Sequence, residues 1–201
     1  MFDTVLAQGS LFGIAAVDFD RTFSTMRRVD LGEGAWLDYA PMWLTGHEAV
    51  YQRLVEAADW RQPVVQMYDR QVVTPRLVAR LEPDVHDAVP SIIDTLSERY
   101  GMRLDQVSAG WYRNGEDSVA PHGDRVARDR PRAIVATISL GGARRFLIKS
   151  KSGGASHAFS LGHGDLVVMG GSSQRTHEHG VPKTSGYVEP RIALMFRHLH
   201  D

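Results

Sequence analysis

The chain has 201 residues, 43% hydrophobic and 23% charged, with a formal net charge of −1. That is enough for one domain with a core, and the balance of charge argues against a protein that coats nucleic acid through a global positive field. Cysteine is absent, which excludes disulfides and thiolate metal sites. No apolar run approaches a membrane span and Met1-Phe2-Asp3-Thr4 lacks a basic region before an apolar stretch, so a cytoplasmic monomer is expected.

In chain order, residues 1–45 are irregular, with short extended candidates at Gly13–Phe19 and Ala35–Tyr39 that should form an N-terminal edge on a larger sheet. Thr45-Gly46-His47-Glu48 has the spacing of a capping box, in which the Thr and Glu side chains each meet an unpaired amide. The helix it opens would set Val50, Leu54, Ala57 and Ala58 on one stripe against the sheet. Residues 60–80 read as extended segments and turns. A second helix is predicted from near Pro90 to Tyr100, burying Ile92, Ile93 and Leu96 and stopping at Gly101.

From Val107 onward the period is that of strands. Ile134, Ala136, Ile138 and Leu140 alternate with Val135, Thr137 and Ser139, and glycine turns separate further strands at Arg145–Lys149, His157–Leu161, Leu166–Met169, His177–Val181 and Arg191–His198. Many short antiparallel strands with glycine turns imply a sandwich or barrel. The expected fold is mainly β, a double-stranded β-helix (jelly roll) with two flanking helices. We read one domain over 1–201: an N-terminal edge at 1–45, helices and a substrate lid at 46–104, and the core at 105–201.

Pro121-His122-Gly123-Asp124 carries the chemistry. Side chains two apart on a strand share a face, so His122 and Asp124 can grip one cation. A third imidazole comes from His177 or His179, which share a face on a later strand. Two histidines and a carboxylate with one side of the metal open is the arrangement of non-haem Fe(II) oxygenases. Arg191 and Arg197, six positions apart, share a face with Ala193 and Met195. Two guanidiniums beside such a centre suit bidentate capture of a small dicarboxylate, with 2-oxoglutarate the natural candidate. A second His-x-Asp, His163-Gly164-Asp165, reads as a turn feeding a strand.

These residues resemble the AlkB-type Fe(II)/2-oxoglutarate dioxygenases, which oxidatively dealkylate nucleobases. The resemblance covers roughly 51 to 199 and rests on Trp111-Tyr112-Arg113-Asn114-Gly115, His122-Gly123-Asp124, Ala133–Leu140, Gly162-His163-Gly164-Asp165, Gly170-Gly171, His179-Gly180, Arg191 and Arg197. It implies His122, Asp124 and His179 as ligands of Fe(II), leaving His177 without that role. It implies Tyr112 and Arg191 at the distal carboxylate of 2-oxoglutarate and Arg197 at the end near the metal, with O2 as the other cosubstrate. Trp60, Met67-Tyr68-Asp69-Arg70 and Pro75-Arg76 look like the family's substrate lid.

The substrate implied is an alkylated base in single-stranded or flipped-out DNA or RNA. Trp60, Tyr68, Arg70, Trp111 and Val126 are the candidates to touch it; Arg125, Arg128, Arg130 and Arg132 form a basic cluster that is either a nucleic-acid contact or an ordinary solvated loop. Two features depart from the family. Gly110 and Ala193 stand where asparagines often meet the cosubstrate, and Val126 stands where many members have an acid that accepts from an exocyclic amine. Hydroxylation of a small metabolite or a protein side chain is the alternative activity, and a non-enzymatic jelly-roll binding module the third reading.

Overall fold

The computed structural model describes residues 16–67, 69–124 and 133–198, the side chains of 65, 67 and 70 excepted. The elements run β1 (Asp18–Phe19), β2 (Arg27–Gly32), β3 (Ala35–Ala40), β4 (Leu44–Thr45), α1 (His47–Ala57), β5 (Val64–Met67), β6 (Arg70–Val73), β7 (Leu77–Leu81) and α2 (Ala88–Tyr100). They continue with β8 (Gln106–Tyr112), β9 (Val119–His122), β10 (Val135–Gly141), β11 (Arg144–Ser150), β12 (Ser156–Leu161), β13 (Leu166–Gly171), α3 (Ser173–Thr176), β14 (His177–Val181) and β15 (Arg191–Arg197).

Two antiparallel sheets dominate. A seven-stranded sheet has the order β2-β3-β13-β10-β15-β8-β7, and a four-stranded sheet the order β12-β11-β14-β9. Phe146, Ile148 and Val181 of the small sheet pack with Val135, Val167, Met169 and Ala193 of the large one. The opposite face of the large sheet, with Ala136, Ile138, Leu140, Ile192, Leu194 and Phe196, packs with Val50 and Leu54 of α1 and Ile92, Ile93 and Leu96 of α2. The fold is mainly β and compatible with a jelly roll with helices outside it, as its sequence pattern implies. Sheet period and apolar alternation agree because β10 and β15 are covered on both faces. Ile138, fully buried at the centre of β10, is worth about 2–5 kcal/mol against alanine.

Local differences have local causes. The capping box does not form: Gly46 takes the N-cap position at φ 64 with no side-chain cap bond. Thr45 instead donates its hydroxyl to the Asp18 carbonyl across the β1–β4 pair, at 3.0 Å, and Glu48 pairs with His47 at 3.2 Å. Helix α1 ends at Ala57, which leaves that residue exposed and outside the predicted stripe. Helix α2 ends at Gly101 in the left-handed region (φ 64), a conformation glycine adopts without a Cβ penalty. Of the strand anticipated at Gly13–Phe19, positions 13–15 lie outside the described residues and the described part is β1.

Candidate active site

β9 and β14 lie side by side, with His122 directly opposite His179 in the register. The imidazole centroids are 4.5 Å apart. β9 ends at His122, so Asp124 stands just beyond the strand rather than on it. Its backbone N–H donates to Gln174 Oε1 at 2.8 Å. A Cβ at Gly123 would come within 2.3 Å of the Gln174 carbonyl oxygen, so the chain passes α3 there only as glycine. Asp124 Oδ1 is left 3.5 Å from His122 Nε2 and 3.7 Å from His179 Nε2. Among the described residues, these three form the one group of His and carboxylate side chains with donor atoms close enough for a shared ion.

The donor set fits a divalent cation of the Fe(II) class. Ligand atoms at about 2.0–2.2 Å from one ion lie roughly 3 Å from each other, so the observed separations need little closure. His122 Nδ1 is 2.9 Å from the Ala120 carbonyl oxygen, which can only accept. Nδ1 therefore carries a proton, which leaves Nε2, on the Asp124 side, as the nitrogen able to ligate. Burial, with the charges of His122, Arg197 and Arg76, pushes the His179 imidazole down to about 4 against the pull of Asp124, so it is neutral and able to ligate at neutral pH. Burial alone would raise Asp124; the Arg197 charge and the bonds from His122 and Arg197 outweigh it and hold the carboxyl well below its ordinary range.

The neighbouring strand face carries the cations. Arg191, Ala193, Met195 and Arg197 of β15 line the same cavity as the triad, with Tyr112 of β8 and Thr137 of β10. The cavity holds about 100 Å³. Arg191 is 1% exposed. Its Nε and Nη2 donate to Ser139 Oγ at 3.3 and 2.7 Å, and its Nη1 is buried without a hydrogen-bond partner among the described residues. Burial lowers this guanidinium to about 10, which leaves it charged at neutral pH. A buried charge with an unmet donor, facing a cavity, is what a carboxylate of 2-oxoglutarate would satisfy. Arg197 stands at the metal end of the cavity: its Nε donates to Asp124 Oδ2 at 2.8 Å, Nη1 to Ser108 Oγ at 2.8 Å and Nη2 to Met195 Sδ at 3.2 Å.

Other sequence candidates fall elsewhere. His177 spends both nitrogens on Leu31 O and Thr176 Oγ1. His163 has φ 52 in a turn, and Asp165 accepts from the Met42 and Gly162 amides. Trp111 is next to Tyr112, so it points to the opposite sheet face; it packs with Trp60, at 5.2 Å between rings, against the helix-side core. Neither tryptophan lines the triad cavity. Arg70 begins β6, but its side chain, Tyr68, Val126 and the Arg125–Arg132 cluster lie outside the described residues. Farther along the chain, Arg144 is buried, donating to the Asn114, Asp117 and Pro182 carbonyls.

Two residues have roles that the motifs do not mark, Gln174, which belongs to none of them, and Arg76, which the resemblance places in the substrate lid. Gln174 anchors the Asp124 amide from a four-residue helix, with no motif to mark it. Arg76 lines the cavity and donates Nη1 to Tyr112 Oη at 2.9 Å. Its signal was the extension of the β7–β8 register, in which Leu77 lies opposite Trp111 and so places Arg76 beside Tyr112.

The profile of the 2OG-Fe(II) oxygenase superfamily matches residues 28–197. The chain is 28% identical over 173 residues to an alpha-ketoglutarate-dependent dioxygenase alkB homolog 3 from Bos taurus, covering 75% of this chain and 60% of that protein. It is 26% identical over 234 residues to the DNA oxidative demethylase ALKBH2 of Arabidopsis thaliana, covering 94% and 74%. The chain thus spans about 60% of the length of the alkB homolog 3 relative. The solved structure of OsALKBH1 superposes with a TM-score of 0.59 at 15% identity, over 87% of this chain and all of that one, which concerns the fold alone. With the superfamily profile covering most of its length, this chain belongs to the 2OG-Fe(II) oxygenase superfamily.

Proposed function

We propose that this protein oxidatively dealkylates N-alkylated bases of DNA or RNA, using Fe(II), 2-oxoglutarate and O2. The observation that carries the proposal is the triad of His122, Asp124 and His179 facing a buried guanidinium with an unmet donor on one cavity wall. The names of the relatives, alkB homolog 3 and DNA oxidative demethylase, supply the substrate class.

In this reading His122 Nε2, Asp124 Oδ1 and His179 Nε2 hold the metal from one side. When bound, the metal with 2-oxoglutarate and O2 supplies the oxidation, yielding succinate and carbon dioxide and placing one oxygen atom in the substrate C–H bond, after which an N-methyl carbon leaves as formaldehyde. Arg191 and Tyr112 take the distal carboxylate of the cosubstrate. Arg197 keeps Asp124 ionised and aimed at the imidazoles. Phe146, stacked on His179 at 5.7 Å, and Val135, Met169 and Val181 form the apolar wall that keeps water from the reacting end.

The test is formaldehyde release, measured with succinate, from single-stranded oligonucleotides each carrying one methylated adenine or cytosine. Stoichiometric formaldehyde and succinate are expected. Succinate formed without formaldehyde from any methylated oligonucleotide would replace this reading with hydroxylation of a small metabolite or protein side chain. Among the described lining residues Asp124 is the one carboxylate, so no acid there is free to accept from a base amine, and selectivity among bases should be weak.

A further inference from the structure

We propose that Arg76 is a further cosubstrate-binding residue, a second uncompensated guanidinium at the distal-carboxylate end of the cavity, and that it ties cosubstrate binding to the base of the β5–β6 hairpin. The proposal rests on the 2-oxoglutarate reading of the site and deepens it.

Among the described residues the cavity wall carries Arg76, Arg191 and Arg197 against the single carboxylate of Asp124, which Arg197 already pairs. Arg191 and Arg76 therefore have no acid partner there. Both flank Tyr112: their guanidinium carbons stand 5.4 and 5.9 Å from the ring centroid, and the phenol oxygen accepts from Arg76. Partly buried guanidiniums without a counter-charge are costly unless an anion completes them. Two cations and a phenol at one end match a carboxylate better than one arginine does.

Space and position agree. Gly110 lies on the face that carries Tyr112, and a Cβ there would meet Arg76 Cδ at 4.0 Å, Met195 Cε at 3.9 Å and Tyr112 Cε2 at 3.9 Å. The aliphatic part of Arg76 thus runs over the bare backbone of β8, occupying ground that a polar side chain at position 110 would claim.

The hairpin link is covalent and short. Val73 ends β6, and Thr74 N–H closes the hairpin base on the Pro63 carbonyl at 2.8 Å. Arg76 N–H then returns to the Thr74 carbonyl, and Pro75 O accepts from Ser118 N–H at 2.7 Å. The hairpin itself exposes Val64 and Val73, which face each other in its register. An anion that fixes the Arg76 guanidinium fixes the segment from which the hairpin emerges.

The experiment measures ligand binding rather than turnover. Protein loaded with Mn(II) is titrated with 2-oxoglutarate and with the monocarboxylate 2-oxobutanoate, for wild type, Arg76→Gln, Arg76→Lys, Tyr112→Phe and the double variant Arg76→Gln/Tyr112→Phe. We expect Arg76→Gln to weaken 2-oxoglutarate binding roughly 10- to 100-fold, Arg76→Lys to recover part of it, and 2-oxobutanoate binding to stay within about threefold. The double variant should lose clearly more than Tyr112→Phe alone. In wild type, 2-oxoglutarate should slow amide exchange at residues 74–78, and in Arg76→Gln it should not. A wild type that binds 2-oxoglutarate beside an Arg76→Gln variant that binds it equally well overturns this proposal alone. No added loss in the double variant also overturns it, because Arg76 then acts only by holding the phenol. Unchanged exchange at 74–78 in wild type removes the hairpin link, and a wild type that binds no 2-oxoglutarate overturns the functional reading together with this one.

Discussion

Arg197 holds Asp124 from behind: Nε donates to Oδ2 at 2.8 Å while Oδ1 faces the two imidazoles. The same guanidinium is fixed by Ser108 Oγ and Met195 Sδ. Its removal should therefore act on the metal as well as on the cosubstrate. We expect Arg197→Ala to weaken Fe(II) or Mn(II) binding about 10- to 100-fold, the range for partners that orient a ligand. Arg197→Lys should restore the charge but not the fork, and recover less than half of the loss on a logarithmic scale. Metal titration of the cosubstrate-free protein decides it; unchanged metal affinity in Arg197→Ala would limit Arg197 to cosubstrate contact.

The triad and its decoys separate cleanly by substitution. His122→Ala, Asp124→Ala and His179→Ala should each cost at least about 100-fold in metal affinity, more than loss of an orienting partner does. His163→Ala should leave metal affinity within about threefold, since that side chain belongs to a turn. His177→Ala frees Leu31 O and Thr176 Oγ1, so it should lower stability by about 1–2 kcal/mol with little change in metal binding. Loss of metal in His177→Ala with retention in His179→Ala would reverse the ligand assignment.

Arg191 offers a test in which stability and binding move in opposite directions. Arg191→Met removes a buried, incompletely bonded charge from the cosubstrate-free fold. Such replacements are often neutral or stabilising by about 1–4 kcal/mol. The same change should reduce 2-oxoglutarate affinity by 100-fold or more. Thermal unfolding without cosubstrate, beside a 2-oxoglutarate titration, reads both quantities. A variant that is strongly destabilised yet still binds 2-oxoglutarate would make Arg191 a structural residue.

Acid should weaken the metal-free fold through His179. Its folded-state value of about 4 lies below the ordinary 6.5, so the unfolded chain takes up the proton first. Stability is therefore present above pH 6.5 and falls as pH drops from 6.5 toward 4, by at most about 3 kcal/mol for a shift of this size. His47, also lowered chiefly by burial, adds to the slope below 6.5 in the same direction. Asp20, held at about 2 by the Thr22 and Ser24 hydroxyls, contributes only below 3.8. Urea midpoints in the presence of a chelator at pH 7, 5.5 and 4.5 should decline for wild type and decline less for His179→Gln. Parallel profiles for the two proteins would show that His179 is not the group responsible.

The strands were legible because burial on both faces of β10 and β15 writes continuous apolar runs broken only by glycine turns. Strand parity placed Arg191 with Arg197 on one face, and motif order singled out His179; Asp124 reaches the imidazoles from just beyond the end of β9, not from the strand that parity assumed. Parity also held a warning about Trp111: a neighbour of Tyr112 on one strand must face the other side, which is where it packs. Gln174, and the contact of the lid residue Arg76 with Tyr112, were hidden because they depend on how segments far apart in sequence are brought together. The capping box at Thr45 misled because the hydroxyl it needs is used by the β1–β4 pair, a tertiary contact that no local pattern encodes.

β9 lies at the edge of the four-stranded sheet, paired on one side with β14 and interrupted by a register shift between His179 and Val181. Two of the three candidate ligands, His122 and Asp124, thus ride at the end of a peripheral strand, while His179 belongs to an interior one. Edge strands open at lower free energy than the whole fold. Escape of a bound ion should accordingly follow fraying of β9 rather than global unfolding. Its lifetime in the protein would then follow the opening that amide exchange at Val119, Ala120 and His122 reports, and would lengthen with any change that stiffens that edge, even one remote from the ligands.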